Sequence, residues 1–189
     1  MNNDFLPKDY KEKTPPSNYT KLEEGETVLR ILDKPIMGWQ GWEDGVNDKQ
    51  EKVSKPVRVK DDDTQGFQVD SFDEEVRDVK FFWAMPVWNY NEKVVQIWVV
   101  TQASIRKALV ALSNSKAWGN PIDYDISVTR TGKEKETKYS VMPTPKEVIS
   151  PKIQADYLAL NIDWEAWWKS EDPFNKDEGK SVDLDKILK

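Results

Sequence analysis

Residues 81–101, FFWAMPVWNYNEKVVQIWVVT, constrain the fold more tightly than any other part of the chain. Two runs of β-branched and aromatic residues flank Asn91-Glu92, the pattern of a β-hairpin. A turn centred there puts Phe82, Ala84, Pro86 and Trp88 on one face with Val95, Ile97 and Val99. The opposite face carries Phe81, Trp83, Met85 and Val87 with Val94, Gln96, Trp98 and Val100. A sheet wetted on one side alternates apolar with polar residues. Here both faces are apolar, so each needs a cover. A one-residue slip exchanges the two faces, and the pattern leaves open which one meets the core.

The rest of the composition narrows what the hairpin belongs to. At 189 residues the chain can build one domain with extensions. Charged residues make up 33% of it, so parts of it are too polar for a packed interior, yet nine Trp, six Tyr and six Phe demand an ordered core. No apolar run approaches the roughly 20 residues of a membrane helix, and MNNDFLPKDYKEK has no signal-peptide core. The expectation is a cytoplasmic protein with no membrane partner. The absence of Cys excludes disulfides, thiolate nucleophiles and Cys-ligated zinc. The absence of His removes the commonest metal ligand and the most used acid–base group near neutral pH. With no nucleophile–base motif either, we expect a non-enzyme without cofactor or metal. The acidic runs Asp61, Asp62, Asp63 and Asp73, Glu74, Glu75 read as solvated loop.

Along the chain, residues 1–20 are polar, contain Pro15-Pro16 and read as a flexible arm. GETVLRILDKPIMGW alternates as a strand bent near Pro35 and ending at Gly38. Residues 40–78 read as a long polar excursion with room for a short strand at KPVRVK. The hairpin supplies two more strands. Ile105, Leu109 and Leu112 then recur at helical spacing behind a capping Ser104, with Gly119-Asn120-Pro121 as the stop. DYDISVTRTG and ETKYSVMPTP complete the set. Five strands with one helix between the third and fourth predict a mainly β OB-fold barrel over residues 21–148. Residues 149–189 form an acidic aromatic tail, in which Trp164, Trp167 and Trp168 share one helical face.

Charge is unevenly spread. The net −6 resolves into +1 over residues 1–22, −8 over 23–75, +4 over 76–149 and −3 over 150–189. A basic, aromatic middle suits single-stranded nucleic acid, where bases stack on rings and cations track the backbone. The expected stacking residues are Trp39, Trp42, Trp88 and Tyr90. Arg58, Lys60, Arg130 and Lys138 are expected on phosphates, within a wider basic set that includes Arg30, Lys55 and Lys80. Trp167, Trp168, Asp172, Pro173 and Phe174 form an expected partner-binding motif. Three rival classes are a carbohydrate-binding module using the same Trp platforms, a carboxylate-based nuclease or glycosidase, and a DNA-mimicking inhibitor.

The phrases SNYTKLEEGETVLRIL, GWQGW, FFWAMPVWNYNEKVVQIWVVTQASIRKAL and WGNPIDYDISVTRTGKEKETKYSVMPTP resemble single-stranded DNA-binding proteins of tailed bacteriophages, over residues 17–145. The resemblance implies an OB-fold protein that coats unwound DNA during phage replication and recombination in the host cytoplasm. It also implies a tail that recruits replication or recombination proteins; self-association is left open. Two departures stand out. Some members carry a zinc site that this chain cannot build, and its tail runs past Phe174 through NKDEGKSVDLDKILK.

Overall fold

The computed structural model describes residues 15–46, 49–61 and 73–174. Its sheet grows from the stretch expected as strand one, which is two strands: β1 (Gly25–Ile31) and β2 (Ile36–Val46). Pro35, which has no N–H to donate, sits in the break between them. Both pair antiparallel with β4 (Arg77–Asn89), β1 near its end (Leu29 opposite Asn89) and β2 nearer its start (Gly38 opposite Phe82). β4 returns through residues 90–93 into β5 (Val94–Val100), where Asn89 faces Val94 and Met85 faces Trp98. That is the register a turn at Asn91-Glu92 requires. β6 (Tyr124–Thr131) then pairs with β1, and β7 (Lys138–Lys146) with β6.

Four expectations need correction. The sheet has seven strands, in the order β3-β2-β4-β1-β6-β7 with β5 on β4, where five were expected. It is open: among the described residues β5 and β7 do not pair, and α1 (Ala103–Ser113) packs against both. The polar excursion is largely sheet, because β2 continues to Val46 and pairs along its length with β3 (Lys52–Lys60). β3 is an edge strand carrying charges and Pro56, devices that keep an edge from pairing further. In α1 the cap position falls on Gln102 without a side-chain cap bond, so Ser104 lies inside the helix, which ends at Ser113, before Gly119.

Both hairpin faces are covered, by different parts of the chain. Met85, Val87, Trp98 and Val100 meet Leu29, Ile31, Tyr124 and Ile126 beneath Ile105 and Leu109 of α1. Phe82, Ala84 and Ile97, on the other face, meet Trp167 of α3 (Trp164–Trp168), with Tyr19, Trp164, Trp168 and Phe174 around them. The expected boundary at residue 148 is therefore no break in packing. α2 (Pro151–Leu160) lies against β5, and α3 follows it onto the sheet. Asp163 caps α3 by accepting from the N–H groups of Glu165 and Ala166 at 3.0 Å. Part of the expected arm is also docked. Ile97 exchanges backbone hydrogen bonds with Asn18 and Thr20, which covers the outer edge of β5. No helix among the described residues is long and apolar enough to cross a membrane.

Candidate nucleic-acid interface

Alternation along β2 and β3 decides which side chains share a face. Gly38, Gln40 and Trp42 stand opposite Lys60, Arg58 and Pro56, while Lys80 and Phe82 of β4 stand beside Gln40 and Gly38. Residues directly opposite in an antiparallel pair project to the same side. One face of β3, β2 and β4 therefore carries three cations, an indole and an amide. The β2–β4 register slips between Gln40 and Trp42, because β4 holds one extra residue there; Asp78, at φ 53°, takes the left-handed conformation nearby.

α3 lies over one end of this face. The Arg58 guanidinium sits 3.8 Å from the Trp167 ring centroid and donates to the Trp167 carbonyl at 2.6 Å and to Ser170 Oγ at 3.2 Å. Its Nε donates to Gln40 Oε1 at 3.0 Å. Burial, opposed by Tyr19, pushes the Arg58 pKa down to about 10, which still leaves it charged at neutral pH. Lys60 ion-pairs with Glu165 at 2.9 Å with both partners exposed, and its ammonium lies 5.7 Å from the Trp168 ring. The helix comes close at Gly38, where a Cβ would lie 2.8 Å from a Trp168 ring carbon. Beyond α3 the face stays open around Trp42, which is 38% exposed. There Tyr19, Gln40, Trp42, Pro56, Arg58 and Val99 line a cleft of about 350 Å³. Burial raises the Tyr19 phenol pKa, with Arg58 acting in the opposite direction.

The structure thus brings Trp42, Arg58 and Lys60 together and scatters the other expected residues. Trp39 projects to the opposite face and packs on Phe81, ring centroids 5.2 Å apart. Trp88 is 7% exposed, and Tyr90, edge-on to it, donates its hydroxyl to Asp125 at 3.2 Å. Trp88 is therefore buried and Trp39 half-buried, on the opposite face from Trp42. Arg130, on β6, donates to the Leu22 carbonyl at 2.9 Å, and the exposed Lys138 opens the far edge strand β7. Arg30 is a core residue, ion-paired with Asp125 and donating twice to the Glu147 carbonyl at 3.0 Å.

Within the expected partner motif, Trp167 and Pro173 are buried, Trp168 and Phe174 half-buried and Asp172 exposed. Phe174 meets Tyr19 edge-on at 6.1 Å. The tail beyond Phe174, and Asp62 and Asp63 of the first acidic run, lie outside the described residues. Among the described residues no group of three or more carboxylates is placed to hold a metal ion.

Lys80 belongs to the wider basic set expected on phosphates, and β4 places it beside Gln40. Gln40, at the start of the expected polar excursion, was given no role. Its only signal was its place in GWQGW, on the same alternation as Trp42. Compared with known proteins, the chain matches no family model, no curated protein and no solved structure.

Proposed function

We propose that this chain is a non-enzymatic protein that binds single-stranded DNA without strong sequence preference, of the kind that coats unwound DNA in phage replication and recombination. One observation carries the reading: Trp42, Arg58, Lys60 and Lys80 share a face of β2, β3 and β4 beside an open cleft. An exposed indole among cations is what an unpaired, stacked strand needs. The strand path supports an OB-like origin. β5-β4-β1-β6-β7, with α1 between β5 and β6, is the neighbour order of an OB barrel whose last pairing is left open. In that comparison β4 and β5 are strands two and three, and the β2–β3 arm belongs to the loop that rims the ligand face.

α3 shares the face with the ligand. DNA phosphates compete with Glu165 for Lys60, an exposed ion pair of the kind worth about 0–1 kcal/mol. Recruitment of replication or recombination proteins then falls to Asp172, Trp168 and Phe174, because Trp167 and Pro173 are buried.

The test is a titration with oligothymidine and with duplex DNA of equal length, followed by intrinsic Trp fluorescence at several salt concentrations. Strong quenching by the single strand and much weaker duplex binding are expected. Equal affinity for the two, or affinity for neither, refutes the proposal. Binding of a glycan without salt dependence would instead mark a carbohydrate module.

A further inference from the structure

The face that carries Trp42 holds a further cation at the bulge of β4. Arg77 is the direct partner of Trp42 across β2 and β4, so the two side chains project to the same side. Packing on the reverse face agrees with that placement. Val76 and Val79 close over Gly41 there, and an added Cβ would lie 2.2 Å from Val76 Cγ1. Arg77 is therefore set beside the exposed indole of Trp42. Its Nη2 donates to Asp44 Oδ1 at 2.5 Å, with the two side chains 56% and 67% exposed. Asp44 lies two residues beyond Trp42 on the same strand, hence on the same face. Lys60, opposite Gly38, is held by Glu165 in the same manner. Along β2 the Gly38 and Trp42 rows are about 13 Å apart, at about 3.3 Å per residue. The row of Gln40 and Arg58 lies between them.

We propose that Arg77 is a phosphate-binding residue of this face and that Asp44 is its built-in competitor, a carboxylate that holds the guanidinium until nucleic acid displaces it. The inference rests on the single-stranded DNA reading and extends the path past Trp42 to the bulge of β4. A phosphate oxygen accepts from a guanidinium as a carboxylate does, so one can take the place of the other. The exchange is within reach because an exposed ion pair holds its partners only weakly. A strand stacked on Trp42 carries its phosphates past the neighbouring strand position, where Arg77 stands. Affinity for the strand then depends on how readily Asp44 is displaced as well as on the number of cations. This gives one acid of the −8 stretch, residues 23–75, a part in binding.

The experiment measures affinity for oligothymidine, and its salt dependence, in the full chain and its variants. Positions 43, 44 and 77 are all exposed, so substitutions there leave the core packing intact. Arg77→Ala should weaken binding and shallow the log–log salt slope by about 0.7, one phosphate's share, and Arg77→Lys should restore the slope. Asp44→Asn should tighten binding about two- to fivefold, the scale of an exposed ion pair. The double variant Asp44→Asn, Arg77→Ala should bind no more tightly than Arg77→Ala alone. Glu43→Gln makes the same change of charge on the reverse face, opposite Lys55, and should leave the affinity where it was. An unchanged slope in Arg77→Ala overturns the proposal, and so does wild-type affinity in Asp44→Asn. Equal tightening by Asp44→Asn and Glu43→Gln, or tightening by Asp44→Asn that survives without Arg77, overturns it as well. Each of these results leaves single-stranded DNA binding standing. If wild type does not bind oligothymidine, the proposed function fails and this inference falls with it.

Discussion

Replacing Trp167 by Ala tests the docking of α3 on the hairpin. The side chain is 0% exposed and meets three rings, Phe82 at 5.4 Å, Trp168 at 5.4 Å and Trp164 at 5.9 Å, with Arg58 over its own ring. A buried Trp removes roughly 150–250 Å² from water. At about 25 cal/mol per Å² that corresponds to about 4–6 kcal/mol as an upper bound. Measured Trp-to-Ala losses in cores run at about 3–5 kcal/mol. The cation–π contact adds about 1 kcal/mol within that range, because Arg58 is half-buried. We therefore expect a loss of about 4 kcal/mol, a large share of the roughly 5–15 kcal/mol that holds a domain together. Urea unfolding followed by far-ultraviolet circular dichroism measures it. A loss below about 1 kcal/mol would mean that α3 does not hold the second hairpin face, and the reasoning would fail.

Other consequences follow from the same packing. Lys60→Ala and Lys80→Ala should each shallow the log–log salt dependence of oligothymidine binding by about 0.7, one phosphate's share, while Lys138→Ala on the far edge leaves it unchanged; equal slopes for all three would move the DNA off this face. Gly38→Ala places a Cβ 2.4 Å from the Val59 carbonyl oxygen and should cost about 1–3 kcal/mol in denaturant unfolding. Gly45→Ala meets nothing within 4 Å and should stay within about 0.5 kcal/mol, so a similar loss for both would count against the close approach of β2, β3 and α3. The Tyr157 phenol is pushed up to about 12, first by burial and then by Asp33, whose carboxylate accepts its hydroxyl at 3.2 Å. A raised folded value means the phenol's stabilising contribution is complete below its ordinary value of 10.0 and is lost as the pH rises through about 12. A tyrosinate absorbance titration should show this group moving back toward 10.0 in Asp33→Asn, and no movement would refute the pairing.

Much of this was readable from residues because their environments are one-sided. The hairpin register followed from Asn91-Glu92, and α1 from Ile105 and Leu109, both of which are buried. The cover on the second hairpin face was also legible in part, since Trp164, Trp167 and Trp168 do share a face of α3 against Phe82. Their docking was not, because a short acidic helix carries no sign of where it lands. β3 was legible only in part: Val57 and Val59 alternate with Arg58 and Lys60 in KPVRVK, but the first half of the strand carries too little apolar alternation to show how far the sheet extends. The site suffered most from reading residues one at a time. Trp39 and Trp42 were grouped by nearness in sequence, yet an odd and an even position on one strand face opposite ways. Arg30 was counted as a surface cation although it alternates with Leu29 and Ile31 within the most buried part of β1.

The central claim is that unpaired DNA lies on the face shared by β2, β3 and β4. Photocrosslinking of the full chain to oligothymidine, with the adducted residues identified by peptide mass spectrometry, measures this directly. The account predicts adducts at Trp42 and Tyr19, and their loss when excess unlabelled single strand competes. Adducts confined to β6 and β7, or spread without preference over exposed aromatic residues, would contradict it.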